Sequence, residues 1–196
     1  MTLNVVRLED AAPQAWRNGG GVTRELLTWP NADDWIVRLS VADIEKDGPF
    51  SAFPGVQRWI IALTGEGMGL GEPCNVQLEP GLPVFSFDGQ ITPTCTLTRG
   101  PTTDLNLMIS TTRASGWLRR MVLDNPSGGK THWLASQREQ TSTLRGVFSW
   151  LGTSVRTRRE TVAVPPRSLV WSTDDVRDWS VSPVQRCWGF QCDLRR

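Results

Sequence analysis

Short apolar segments rich in Val, Ile, Trp, Phe and Thr recur along almost the whole chain, each bounded by Gly, Pro, Asn or Asp. This is the pattern of strands rather than of amphipathic helices. The segments include DWIVRLSVA at 34–42, RWIIALTG at 58–65, LPVFSFDG at 82–89, TCTLTRG at 94–100 and DLNLMIS at 104–110. LRGVFSWLG at 144–152, RSLVWSTDD at 167–175 and VQRCWGFQC at 184–192 continue the series. Helix signals are scarce, the best being a short piece near 41–47. Prolines mark strand entrances and loops, in EPCN, LEPGLP, GPTT and AVPPRS, where a missing amide donor least disturbs a ladder. The predicted fold class is all-β.

So many short strands call for a sandwich or barrel. Residues 114–143 alternate weakly and carry several Gly and Ser, so they read as the connection between two β halves. With the seam near residue 112, residues 1–112 form an N-terminal barrel and 113–196 a second one that loosely repeats it. Two stacked barrels of cupin type, sharing a core as one compact unit, fit this layout.

Side chains alternate faces along a strand. In 35–42, Trp35, Val37, Leu39 and Val41 share one face, and Ile36, Arg38, Ser40 and Ala42 the other. In 104–109, Leu105, Leu107 and Ile109 oppose Asp104, Asn106 and Met108. Arg58 enters its strand just after an FPG turn. Singly, each polar face reads as solvent-facing. Together, Arg38, Arg58, Asp104 and Asn106 describe a barrel lumen in which a few placed polar groups orient one ligand.

Composition narrows the partners. Twenty-one Lys and Arg against 20 Asp and Glu leave a formal net charge of +1, so no global field draws the chain to nucleic acid or an anionic membrane. The basic runs at 119–120 and 155–160 read as solvated strand ends, without a helix-turn-helix pattern beside them. The opening residues include acids and no apolar core, and no apolar run approaches the roughly 18 residues of a membrane span, so a soluble, cytoplasmic protein is expected. Cys74, Cys95, Cys187 and Cys192 form no CxxC pair and read as reduced, small hydrophobes. Ten Trp residues suggest apolar strand surfaces on which two copies would pair, making a homodimer a candidate assembly.

Three consecutive glycines, Gly19, Gly20 and Gly21, sit inside AWRNGGGVTREL. The stretch lacks the pattern of a nucleotide-binding loop. It reads either as a plain hairpin or as a chain crossing the barrel mouth, with Asn18, Thr23, Arg24 and Glu25 set around a ligand.

Three separated motifs, WRNGGGVTRE, RLSVADIEKDGPFSAFPGVQR and RGPTTDLNLM, resemble the HutD/Ves family of small bacterial proteins, some encoded with histidine-utilisation enzymes. The motif resemblance covers roughly residues 1–112. It implies a bicupin of two RmlC-like jelly-roll barrels and a pocket lined by Trp16, Asn18, Gly20, Thr23, Glu25, Arg38, Phe50, Arg58, Asp104 and Asn106. It further implies no catalytic metal, and a regulatory role that restrains histidine utilisation through binding of a pathway metabolite. Leu105 departs from the commoner phenylalanine after the aspartate, an apolar exchange that alters packing more than chemistry.

One histidine, His132, does not supply the ligand set of a metal cupin, so neither metal nor other cofactor is expected. The expected partner is a small carboxylate such as urocanate or formylglutamate, held by the guanidinium of Arg38 or Arg58, with Asn18 and Asn106 reading an amide or formyl group. The alternative is a metal-independent isomerase or epimerase acting on a small acid or sugar derivative, with Glu25 as acid/base and Asp104 or His132 as other candidates.

Overall fold

The computed structural model describes residues 3–122, 131–134, 142–173 and 178–195. Apart from a single 3-10 turn at Leu8–Asp10, the regular structure among them is strand. In chain order the strands are β1 (Asn4–Arg7), β2 (Pro13–Ala15), β3 (Gly21–Trp29), β4 (Val37–Ile44), β5 (Gly48–Pro49), β6 (Val56–Thr64), β7 (Met68–Leu70), β8 (Val76–Leu78), β9 (Phe85–Asp88) and β10 (Thr94–Leu97). They continue as β11 (Thr102–Ser110), β12 (Ala114–Arg120), β13 (Thr131–Leu134), β14 (Thr143–Ser149), β15 (Thr153–Arg156), β16 (Thr161–Val164), β17 (Ser168–Ser172), β18 (Asp178–Ser182) and β19 (Cys187–Leu194).

The contacts divide the chain into two compact units, Ala11–Arg113 and Met1–Asp10 with Ala114–Arg196. The second unit has a five-stranded sheet ordered β1-β17-β14-β19-β12 and a four-stranded sheet ordered β13-β18-β15-β16. Its core gathers Val147, Val155, Val170, Trp179 and Val181. Asn4–Arg7, grouped by the sequence with the first half, pair in full with Ser168–Trp171 of β17.

The first unit has a six-stranded sheet ordered β2-β3-β4-β11-β6-β9 and a four-stranded sheet ordered β5-β10-β7-β8. Its core brings together Ile44, Ile60, Ala62 and Phe87 of the larger sheet with Met68, Leu70, Leu78 and Cys95 of the smaller, so it fills the space between them. The opposite face of the central strands is also closed to solvent: Val37, Leu39, Val41, Leu105 and Leu107 are fully buried. Over Val37–Ala42 of β4 and Asp104–Ile109 of β11 both faces are therefore internal, and polar side chains there are not solvent-facing by default.

Two sequence expectations are corrected. The helix near 41–47 is strand through Ile44, because Val41–Ile44 are laddered to Gly21–Arg24 on one side and to Thr102–Leu105 on the other. The connection placed at 114–143 contains β12, paired with β19, and β13, paired with β18. Its glycines and serines weaken the alternation without ending it, since Ala114 and Leu118 are still buried. Residues 123–130 and 135–141 of that stretch lie outside the described residues.

The four cysteines are free, and Cys95, Cys187 and Cys192 are buried. Burial raises each of these thiols, Cys95 to about 12, and so keeps them protonated packing groups. Among the described residues, no helix is long and apolar enough to cross a membrane.

Candidate functional site

The register of the six-stranded sheet sets the inner wall of the first unit as three rows. Arg38 of β4, Met108 of β11 and Arg58 of β6 stand in one row, which ends on Phe87 of β9. Ser40, Asn106 and Ile60 form the next, and Ala42, Asp104 and Ala62 the third. The rows run from cationic through neutral polar to carboxyl. Except for Ile60, Ala62 and Phe87, their residues line a cavity of about 810 Å³, flanked by Trp16, Arg17 and Asn18 from the glycine turn and by Phe50, Ser51 and Phe53 from the segment after β5.

Arg58 is the most unusual group of this wall. Its side chain is almost fully buried, at 4% exposure, with its guanidinium carbon 5.0 Å from the Phe50 ring centroid, 5.0 Å from Phe87 and 5.7 Å from Phe53. Aromatic faces accept a guanidinium's flat sides and leave its edge free for in-plane hydrogen bonds. Its one hydrogen bond within the described residues is a long one, 3.4 Å from Nη1 to the Ser51 carbonyl, and Nε has no protein partner. No carboxylate of the described residues forms an ion pair with it. Burial lowers it to about 10, with Arg38 also lowering it and Asp104 opposing. At neutral pH it remains a cation.

Arg38 is differently placed. Its Nη2 lies 2.7 Å from Glu25 Oε1, and its guanidinium carbon is 6.0 Å from the Phe53 ring. Glu25 reaches it diagonally, because Glu25 is in register with Ser40, and β3 bulges between Glu25 and Leu27 before Thr28 takes the place opposite Arg38. Glu25 holds Arg38 without itself lining the cavity.

Asp104 lies on the third row and is 1% exposed. Burial pushes its carboxyl up from an ordinary 3.8 to about 7, despite the opposing Arg58 charge and a backbone hydrogen bond from Ala42. Among the described residues its Oδ1 has no partner, and neither has Oδ1 of the buried Asn106.

The glycine turn is a hairpin that also forms the rim. β2 and β3 pair on either side of it, and the Trp16 amide donates to the Gly21 carbonyl. Asn18 Oδ1 accepts from the Gly20 amide at 3.0 Å, which closes the turn locally. The Gly20 carbonyl accepts from the Glu45 and Lys46 amides, tying the turn to the end of β4. Gly21 is required by proximity: a Cβ there would lie 2.4 Å from the Asp43 carbonyl oxygen. Trp16 Nε1 donates to Thr23 Oγ1 at 2.8 Å, which fixes the indole at the mouth.

Of the residues named from sequence, Trp16, Asn18, Thr23, Arg38, Phe50, Arg58, Asp104 and Asn106 come together around this one cavity. Gly20 and Glu25 stand outside its wall, and Arg24 turns to an ion pair with Asp43 at 2.7 Å. Ser40, Ala42 and Met108 also line it, on the same strand faces as the named residues, so strand alternation already carried their signal. Arg17, Ser51 and Phe53 come from turns, whose side-chain directions have no period to read. His132 lies on β13 in the other unit, opposite Ser180. Among the described residues, no three His, Cys, Asp or Glu side chains gather as a metal-binding group.

The HutD family profile matches residues 8–172. The chain belongs to the HutD family. It is 39% identical over 118 residues to a 21.2 kDa protein in the hutC 3′ region of Pseudomonas putida, covering 57% of this chain and 60% of that one. It is 37% identical over 111 residues to protein Ves of Citrobacter koseri, covering 53% and 56%. The matched part thus spans little more than half the length of these curated relatives. Among solved structures, HutD from Pseudomonas fluorescens SBW25, in a formate condition, superposes over 100% of both chains with TM-score 0.79 and 27% identity. A cupin 2 conserved barrel protein from Leptotrichia buccalis, 8% identical, superposes over 98% of this chain and 96% of its own with TM-score 0.52, a likeness of fold. The chain is therefore an all-β, cupin-like member of the HutD family.

Proposed function

We propose that this HutD-family protein is a metabolite-binding bicupin, each unit one jelly-roll barrel, whose first barrel holds a small carboxylate of the urocanate or formylglutamate type and thereby restrains histidine utilisation. The observation that carries the reading is Arg58: a cation removed from water, walled by three phenylalanines, facing a cavity, and without a carboxylate partner among the described residues. Burial of an unpaired charge is costly, and an anion entering the cavity relieves that cost. Two parallel N–H donors on a guanidinium edge match the paired oxygens of a carboxylate. The regulatory half of the proposal rests on family membership and on the hutC-region relative. A cytoplasmic location, a homodimer and the absence of nucleic-acid or membrane partners belong to the same reading.

The test is calorimetric titration of the protein with urocanate and with N-formylglutamate, beside Arg58→Ala. Saturable micromolar binding lost in the variant supports the proposal. Silence with both acids removes the pathway assignment, and binding that survives Arg58→Ala removes the carboxylate site.

One observation favours a second reading, a metal-independent isomerase or epimerase. A carboxyl at about 7 on the cavity wall suits a general acid or base. Asp104 fits that role better than Glu25, whose carboxylate is engaged by Arg38 outside the cavity wall. Turnover of a bound acid abolished by Asp104→Asn, with binding retained, would select this reading.

A further inference from the structure

The proposed carboxylate site accounts for the cationic row of the wall and leaves the other two rows without a task. Asp104 and Asn106 are adjacent inward positions on β11, and each has a buried Oδ1 with no partner among the described residues. A buried acceptor left unpaired is destabilising, and the great majority of such groups in folded proteins are paired. Neither atom is served by the neighbouring strands: Ala42 and Ala62 beside Asp104 carry no polar side-chain atom, and of Ser40 and Ile60 beside Asn106 the Ser40 hydroxyl makes no hydrogen bond to the Asn106 oxygen. The two alanines cut the wall back around Asp104 and leave room at its carboxyl.

Resting on the carboxylate reading above, we propose that the ligand carries, besides its carboxylate, a neutral N–H group that donates to the acceptor seat of Asp104 and Asn106. The rows set the layout of such a molecule. The carboxylate meets Arg58 beside the Met108 row, and the N–H lies one to two inward positions further along β11, each step about 7 Å of strand. The donor is uncharged, because an ammonium would stand against the cations of Arg58 and Arg38 on the same wall. Acylamino acids and azole-bearing acids have this chemistry. Simple fatty acids, keto acids and esters do not, and they would leave both acceptors unpaired.

Isosteric pairs separate the donor from the carboxylate. 4-Acetamidobutanoate is compared with 4-acetoxybutanoate, and 3-(imidazol-4-yl)acrylate with 3-(oxazol-4-yl)acrylate, by calorimetry on the wild-type chain at one ionic strength and at pH 8, where Asp104 is an ionised acceptor. Within each pair size and carboxylate are kept, and the N–H alone is replaced by oxygen. The donor-bearing acid is expected to bind at least about tenfold more tightly. Asp104→Ala should reduce that preference to within about twofold while Arg58→Ala weakens both members of a pair alike. Equal affinities within both pairs, still lost in Arg58→Ala, would overturn the donor seat and leave the carboxylate site standing. Silence with all four acids would overturn both. The comparison on wild-type protein decides the question even if Asp104→Ala fails to fold.

Discussion

Arg38 and Arg58 stand in one register row on either side of Met108, and both bring their guanidinium carbons to the Phe53 ring, at 6.0 and 5.7 Å. Two cations converge on one aromatic ring, yet among the described residues only Arg38 has a carboxylate partner, Glu25. The pair is therefore asymmetric: one cation is neutralised from behind, and the other is left for whatever enters the cavity.

That asymmetry ranks two conservative substitutions. Arg58→Lys should weaken binding of a carboxylate such as urocanate by at least about tenfold, because a buried ammonium loses both the planar fork and the stacking between phenylalanines. Arg38→Lys should cost less, since its charge is shared with Glu25. Calorimetric titration of the two variants side by side checks the order, and equal losses would contradict the asymmetry.

Glu25 acts on the site through Arg38, as a positioning residue. Glu25→Gln keeps an oxygen that can accept from Arg38 but removes the compensating charge. Carboxylate affinity should then rise by about twofold to fivefold at low salt, and the gain should shrink as salt is added. Titrations at two ionic strengths measure this, and a loss of affinity at both would show that the Glu25 charge supports the ligand.

Asp104 makes stability depend on pH in a direction opposite to most carboxylates. Its folded-state value of about 7 lies above the ordinary 3.8, so between these values the folded protein holds a proton that the unfolded chain releases. The stability contributed is whole below about pH 4, declines as pH rises toward 7, and is level above it. Asp104→Asn should remove this slope and melt several degrees higher than wild type at pH 8, given roughly 2–4 °C per kcal/mol for a chain of this size. Thermal unfolding at pH 5 and pH 8 tests it. Parallel losses of melting temperature in the two proteins would refute the assignment.

The glycine turn separates conformational freedom from close approach. Gly21→Ala forces a Cβ to within 2.4 Å of the Asp43 carbonyl, so β3 and β4 must part, at about 1–3 kcal/mol. Gly20→Ala meets only the Asn18 side-chain oxygen at 3.1 Å, a group able to turn aside. Denaturant unfolding should therefore show a substantial loss for the first and a small one for the second. The reverse order would mean that the turn, rather than the strand contact, selects glycine here.

Much of this site was legible in the chain. Strict alternation in 37–44 and 104–109 already put Arg38, Ser40 and Ala42 on one face of a strand and Asp104, Asn106 and Met108 on one face of another. Alternation does not say whether a polar face meets water or a cavity. That is decided by what packs on each side of the sheet, and here both sides are closed. The Glu25 assignment shows the limit: its face follows from period two, but the bulge after it directs its carboxylate to Arg38 and away from the cavity.

By itself the sequence determined the all-β class, most strand positions and the inward set of polar residues, because these follow from local periodicity and from where glycine and proline interrupt it. Tertiary structure alone decided that β1 joins the second unit, that Phe50, Phe53 and Phe87 surround one arginine, and that Asp104 is buried deeply enough to hold its proton near neutrality. Those outcomes depend on contacts between residues distant in the chain and on the dielectric their packing creates, neither of which has a period to be read.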